Sequence, residues 1–270
     1  MSPVRIESYS RYLDIVGQYA RKGCFSNDYL QNEAADLVLN GSLYEMCGKE
    51  NAFLLVNKGH FFRLYYYLNN LQEKLILKDM ITTTEILFRS ALGEPGDQIA
   101  YLEECGFHRH LIRDQYSAMY KDMALADLND CVVIRPARTL QDMQCAFDLF
   151  NASFDELTGD FIPSDRYAEI MAAGDVLVAL DKESEKFFLG ALHQTVSNNI
   201  AWVSHLAVIK EARGRHVGKA LLNAYVENNK VNEKSRYSLW VQHQNVAAVA
   251  LYSQKGFKHN GKSSLSMIKQ

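Results

Sequence analysis

Apolar residues recur at helical spacing from Tyr9 onward, with Leu13, Val16, Tyr19 and Ala20 on one stripe. A second helical stretch lies between Leu30 and Leu39, before Leu43. The period then shortens to that of strands. "AFLLVNK" from Ala52 and "FFRLYYYLN" from Phe61 are strand-like runs, and Asn57 to His60, with Gly59 inside, predicts a hairpin between them. "ITTTEILFRS" from Ile81 is a third β-branched run. The turn "LGEPGD" follows, and Asp97 is the expected cap of a short helix that stops at Gly106. A further strand is expected over His108 to Tyr120, and "DMALADLND" reads as a polar connector.

Beyond Asp130 the alternation of elements is sharper. "CVVIRPAR" predicts a strand, and Thr139 with Asp142 three residues on predicts a capping box. Met143, Phe147, Phe150 and Phe154 are expected to continue that helix. "DVLVALD" and "FFLGALHQT" read as a strand pair, and "IAWVSHLAVI" as a long central strand. A helix with Val217, Leu221, Ala224 and Tyr225 on one side comes next, then the strand "YSLWVQH". Asn245 is placed to cap a helix ending at Gly256, and "FKHNGKSSLSMIKQ" closes the chain. The order is that of an α/β (α+β) fold with a mixed sheet flanked by helices. The expected division is residues 1–129 and residues 130–270.

Composition narrows the class. The 270 residues are 48% hydrophobic and 23% charged, as in a soluble globular protein, and long enough for two domains. A net charge of −3 with no strongly basic segment argues against broad nucleic-acid binding. The N-terminus lacks an apolar signal-like run, and no apolar stretch is long enough for a bilayer. Cys24, Cys47, Cys105, Cys131 and Cys145 show no paired spacing, which suits reduced thiols in a cytoplasm better than disulfides or a metal site.

The candidate chemistry sits in "RGRHVGKALL", residues 213–222, directly after the apolar strand "HLAVI". At a helix N-terminus several backbone N–H groups lack partners and the macrodipole favours an anion. Arg213, Arg215 and Lys219 add positive charge at the same end. No Ser or Thr follows Gly218-Lys219, so this is not a Walker A loop, and it is not a dinucleotide G-x-G-x-x-G. Alone, it is equally an ordinary basic helix start. The segment "NVAAVALYSQKGF", Asn245 to Phe257, is by itself equally a small-residue helix packed on a sheet.

Together the two segments resemble the GCN5-related N-acetyltransferase (GNAT) superfamily. In that family a Gln/Arg-x-x-Gly-x-Gly/Ala loop after the fourth strand cradles the pyrophosphate of acetyl-coenzyme A. Arg213 and Gly218 match its ends, while His216 stands at the first glycine position. The family's Asn-x-x-Ala-x-x-Leu-Tyr-x-x-x-Gly-Phe block is matched by Asn245, Ala248, Leu251, Tyr252, Gly256 and Phe257. The resemblance extends from about residue 131 to residue 270. It implies acetyl-CoA as cosubstrate, no metal, and transfer to a primary amine of a small molecule or peptide. It also implies that the coenzyme is held by Leu206, Ala207, Val208, Arg213, Gly214, Arg215, His216, Val217, Gly218, Lys219 and Asn245. The cradle works through backbone N–H groups, so His216 is expected to serve with ordinary helical φ and its imidazole toward solvent.

Only about one alkylammonium in 10³ is nucleophilic at neutral pH, so a base is useful, and an acid must protonate the departing thiolate. Tyr252 stands where many family members keep that acid. The positions at which members often hold a base are here Trp202 and Ser204, neither suited to the task. His205 is turned by strand alternation to the face opposite Ser204 and Leu206. It, Glu156, Asp160 and a water near Ser204 all stay open, and no base is assigned. In the first half "AYLEECGF" echoes "ALYSQKGF", with Leu102 opposite Tyr252 and no anion-binding loop before it. This is read as a degenerate GNAT-like copy giving a tandem architecture, or as an unrelated α/β domain. A non-catalytic acyl-CoA sensor and an aminoacyl-transferring tandem protein are the rival functions.

Overall fold

The computed structural model describes residues 2–78, 80–124, 132–159, 162–184 and 186–270. They form two compact units, Met1–Ile112 with Lys262–Gln270, and Arg113–Gly261. The expected division near Asp130, and most of the polar connector, fall outside the described residues. Contacts instead divide the chain within the strand His108–Met119, because Arg113–Met119 pairs with Arg236–Gln242 of the second unit.

The first unit begins with β1 (Val4–Arg5), α1 (Tyr9–Tyr19), β2 (Phe25–Ser26) and α2 (Ala34–Leu39). Ser8 caps α1 by accepting from the Arg11 N–H. β3 (Leu43–Cys47), β4 (Ala52–Asn57) and β5 (Phe62–Leu68) follow as an antiparallel meander, with the Asn57 to His60 turn between the last two. β6 (Thr82–Arg89) runs parallel to β5 over three residue pairs only, Phe62 to Leu64 against Thr82 to Thr84. Lys262–Lys269 then pairs antiparallel with β6 and completes the unit's sheet. α3 (Gly96–Glu104) lies between β6 and β7 (His108–Met119). Asp97 does not cap α3: Pro95 occupies the N-cap, and Asp97 lies in the first turn, where its charge suits the helix dipole.

The second unit contains β8 (Val132–Pro136), α4 (Leu140–Ser153), α5 (Tyr167–Ala173), β9 (Val176–Asp181), β10 (Phe188–Ser197) and β11 (Ile200–Val208). α6 (Val217–Asn228), β12 (Arg236–Gln242) and α7 (Val246–Gln254) follow, and β13 (Lys258–Lys269) starts here but belongs to the first unit from Lys262 on. β8 to β11 form an antiparallel meander, β12 joins parallel to β11, and Arg113–Met119 of β7 pairs antiparallel with β12. The first unit has the same succession, a meander, one parallel pair and an antiparallel closing strand. It differs in having the short strand β2 against β5, and in that residues 69–81, between β5 and β6, hold no counterpart of α6 among the described residues.

Side-chain alternation gives the second sheet two buried faces. Leu177 and Ala179 of β9 pack with Val217, Leu221, Leu222, Tyr225 and Val226 of α6. Val176, Val178 and Leu180 pack on the other face with Met143, Ala146, Phe147 and Phe150 of α4. Each such buried Val, Leu or Phe contributes about 1.5–3 kcal/mol relative to exposure. α4 starts with the expected capping box: the Thr139 hydroxyl accepts from the Asp142 N–H at 3.1 Å, and the Asp142 carboxylate accepts from the Thr139 N–H at 3.1 Å. The helix stops one residue earlier than its apolar spacing predicts. Phe154 is the C-cap, at φ −114 and ψ 155, so its ring leaves the helical stripe.

Candidate functional site

The site is created where two parallel strands part. β11 pairs with β12 only over Ile200–Val203 and Arg236–Leu239. Beyond that point β12 continues against β7, and β11 continues against β10. The edge of β11 from Ser204 to Val208 is thereby open toward a cavity of about 600 Å³. Leu206, Ala207 and Val208 line it, as do Arg213, Gly214, His216, Val217, Gly218, Lys219 and Asn245.

The floor at α6 is made of unpaired donors. The first intrahelical bond of α6 runs from the Ala220 N–H to the His216 carbonyl at 3.0 Å. The N–H groups of Val217, Gly218 and Lys219 precede it and have no partner within the helix. With the dipole and the side chains of Arg213 and Lys219 on the same wall, this end of the cavity is suited to a phosphate or pyrophosphate. A Cβ on Gly218 would pack against Leu251, Leu206 and Val208 at 3.4–3.7 Å, all residues of the cavity wall. α7 supplies the opposite wall, with Ala247, Ala248, Ala250, Leu251 and Gln254. Asn245 caps α7 by accepting from the Ala248 N–H at 3.1 Å.

His216 departs from its expected backbone. It is the N-cap of α6 with φ 61 and ψ 13, a left-handed conformation, not a helical one. The position thus has a glycine-like requirement that a histidine fills at some conformational expense. Its side chain is exposed, as expected. Arg215 lies off the cavity wall and donates to the Asp181 carboxylate at 3.0 Å. That guanidinium holds Asp181 below the usual carboxylate range.

Tyr252 sits in α7 beside these residues, but it is not part of the cavity wall. It is 6% exposed and belongs to the core under α6, edge-on to Phe257 with ring centroids 6.0 Å apart. Burial pushes its hydroxyl up to about 12. It is therefore fully protonated at neutral pH, as a proton donor must be.

The candidates for a base separate into two groups. Trp202 is half-buried and Ser204 exposed, with the Ser204 hydroxyl 3.4 Å from that of Thr195. Asp160 lies outside the described residues. His205 and Glu156 share a second cavity of about 220 Å³, lined also by Phe147, Phe150, Asn151, Phe154, Asp155 and Gly159. Its location depends on an irregularity that periodicity does not reveal. Gln194 opposes Val203 and His193 opposes His205, so Ser204 is an extra residue in β11, a β-bulge. Before the bulge Ala201 and Val203 face α6; after it Leu206 and Val208 do, while Ala207 and His205 face α4. His205 is opposite Leu206, and it stacks on Phe150 with centroids 5.1 Å apart. Its Nδ1 is 3.4 Å from Nδ1 of His193, a residue that sequence reasoning did not single out.

Among the described residues, no helix is long and apolar enough to cross a membrane, and no group of His, Cys, Asp and Glu is arranged to hold a metal ion. Comparison with known proteins agrees with the geometry. Residues 172–259 match the family described as Acetyltransferase (GNAT) domain. A search of curated proteins finds none that matches. Among solved structures, a tandem GNAT protein from the clavulanic acid biosynthesis pathway is similar at 13% identity and a TM-score of 0.61, over 99% of this chain and 97% of that one. A GNAT-family acetyltransferase from Colwellia psychrerythraea is similar at 13% identity and a TM-score of 0.58, over 100% of both chains. A GCN5-related N-acetyltransferase from Sphaerobacter thermophilus is similar at 13% identity and a TM-score of 0.59, covering 89% of this chain and 86% of that one. Residues 172–259 thus match the acetyltransferase (GNAT) domain family, within a chain whose fold is similar end to end to that of a tandem GNAT protein.

Proposed function

We propose that the protein is an acetyl-CoA-dependent N-acetyltransferase that moves an acetyl group to a primary amine by direct transfer in a ternary complex. The carrying observation is the cavity of about 600 Å³ between the parted strands, walled by the α6 N-terminus. A pyrophosphate fits the donors of Val217, Gly218 and Lys219 with the charges of Arg213 and Lys219. An extended acyl-bearing arm fits the open edge at Leu206, Ala207 and Val208, and Asn245 closes the far side. Bound acetyl-CoA supplies the activated acyl carbon. The protein's own share is to hold it against that edge, exclude water around it, and manage two protons. Tyr252 is assigned the proton for the departing thiolate.

Isothermal titration with acetyl-CoA, combined with thiol release over amino acids, polyamines, aminoglycosides and peptide N-termini, tests the reading. One coenzyme bound per chain with acceptor-dependent thiol release supports it. Tight binding with no acceptor-dependent release would favour an acyl-CoA sensor. Absence of binding would remove the reading altogether.

A further inference from the structure

Building on the acyltransfer reading above, we propose that the cavity at His205 is the acceptor site, that it takes a compact primary alkylammonium, and that His205 receives the acceptor's proton with His193 as its partner. The bulge at Ser204 turns His205 out of line with the residues that hold the coenzyme side, and into a chamber of its own. Phe154 lines both cavities, so the two chambers adjoin at this residue.

The chamber's chemistry selects the acceptor. Its walls include Phe147, Phe150 and Phe154, whose faces attract a cation. Its rim carries Asp155 and Glu156. The Asp155 carboxylate accepts from both the backbone N–H and the hydroxyl of Thr158, which pins the rim loop. A volume of about 220 Å³ holds about seven waters at ~30 Å³ each, enough for an alkylammonium of a few carbons and too little for an oligosaccharide.

The histidine pair is built to share a proton. The two Nδ1 atoms are 3.4 Å apart with the rings 9° from parallel, so a proton donated by one ring has the other as its acceptor and the two tautomers are interdependent. His193 and His205 are 5% and 8% exposed. Phe147 meets the His193 ring edge-on, and Phe150 and Phe154 flank that of His205. Among the described residues, Asp155 and Glu156 from the loop after α4 line the chamber with His205, and His193 of β10 stands beside its ring. α4 itself presents phenylalanines, and Tyr167 of α5 stacks on Phe147.

The step balances as follows. The acceptor ammonium gives one proton to the His205 imidazole, and the freed lone pair forms the C–N bond at the thioester carbon. The C–S bond breaks, the thiolate leaves and is protonated by a donor on the enzyme, and the second N–H proton is released to water as the amide forms.

Kinetics with n-butylamine and putrescine, in wild type and His205→Gln, test the assignment alongside acetyl-CoA titration and histidine-resolved NMR of the coenzyme-free protein. The expected result is a loss of about 100-fold or more in kcat/KM for the amine, acetyl-CoA affinity unchanged, and loss of the acidic limb of the pH–rate profile. In the free wild-type protein, n-butylamine shifts the ring signals of His205 and His193 together, and Glu156→Gln weakens that response. Retention of kcat/KM within about threefold in His205→Gln overturns the proposal. So does an unshifted His205 signal at saturating amine, which needs no variant to fold. Failure of wild-type acetyl-CoA binding overturns the acyltransfer reading itself, a distinct outcome.

Discussion

A Cβ on Gly256 would lie 2.3 Å from the carbonyl oxygen of Asp122. Gly256 ends the helix that carries Tyr252: at φ 95 it lets the Phe257 N–H reach back to the Tyr252 carbonyl at 3.1 Å. Two independent constraints therefore demand glycine here. Gly256→Ala combines left-handed strain of about 1–2 kcal/mol with a backbone clash, so a loss of roughly 2 kcal/mol or more is expected. Urea unfolding measures it, and a variant as stable as wild type would mean that the approach to Asp122 is absent in solution.

At His216 the same conformational argument runs for an exposed residue on the cavity wall. Replacing it by glycine relieves left-handed strain but adds freedom to the unfolded chain, so stability should rise by no more than about 1 kcal/mol. The N–H donors remain, hence acetyl-CoA affinity should stay within about threefold. A large affinity gain in His216→Gly would show that the imidazole obstructs the cradle.

Gly218 reverses these expectations. It lies inside α6 with no close contact for a Cβ, so Gly218→Ala should leave stability equal or raise it by up to about 1 kcal/mol through helix propensity. In the proposed binding mode the same methyl group narrows the approach to the α6 donors. A loss of about tenfold or more in acetyl-CoA affinity without loss of melting temperature is the expected pair of results. Unchanged affinity would place the anion elsewhere.

Much of this site could be read from residue order because helix starts are local. Asn245 and the Thr139–Asp142 box are defined within four residues, and the loop from Arg213 to Lys219 announces its helix in the same way. Asp97 misled because a capping residue and a first-turn acid have the same composition, and Pro95 decides between them only through geometry. His193 was out of reach for a different reason. Its pairing with His205 depends on strand register, and one extra residue at Ser204 reverses every side chain beyond it. The pairing of Arg113–Met119 with Arg236–Gln242 is likewise non-local, and residue order carries no signal for it.

Asp142 offers a pH test. Burial alone would push its carboxyl up, but Arg135 and the N–H groups of Arg138 and Thr139 outweigh that and hold it below the usual range. A depressed folded value means stability that is present above about pH 3.9, the ordinary aspartate value, and lost as pH falls toward the folded value. Asp142→Asn should therefore lose about 1–2 kcal/mol at neutral pH and show a shallower acid decline than wild type. Parallel acid limbs for the two proteins, followed by circular dichroism, would deny Asp142 this role.

Tyr252 is the sharpest case, because the geometry supports two different jobs. The ring is buried against Phe257 and off the cavity wall, which suits packing. Its hydroxyl is held protonated by burial, which suits a donor. Tyr252→Phe keeps the ring and removes one oxygen, so the two roles give opposite results. If the hydroxyl protonates the thiolate, kcat falls by roughly 10²–10⁴-fold, about 3–5 kcal/mol of barrier, with acetyl-CoA affinity and melting temperature nearly unchanged. Because its pKa stands at about 12, no alkaline limb from this group should appear in the wild-type profile at lower pH. An acceptor already deprotonated at the assay pH should not rescue the variant, since the defect lies in thiolate departure and not in nucleophile activation. That separates Tyr252 from His205, whose loss such an amine should partly repair. A Tyr252→Phe enzyme that keeps more than about a third of wild-type kcat would assign the residue to packing alone.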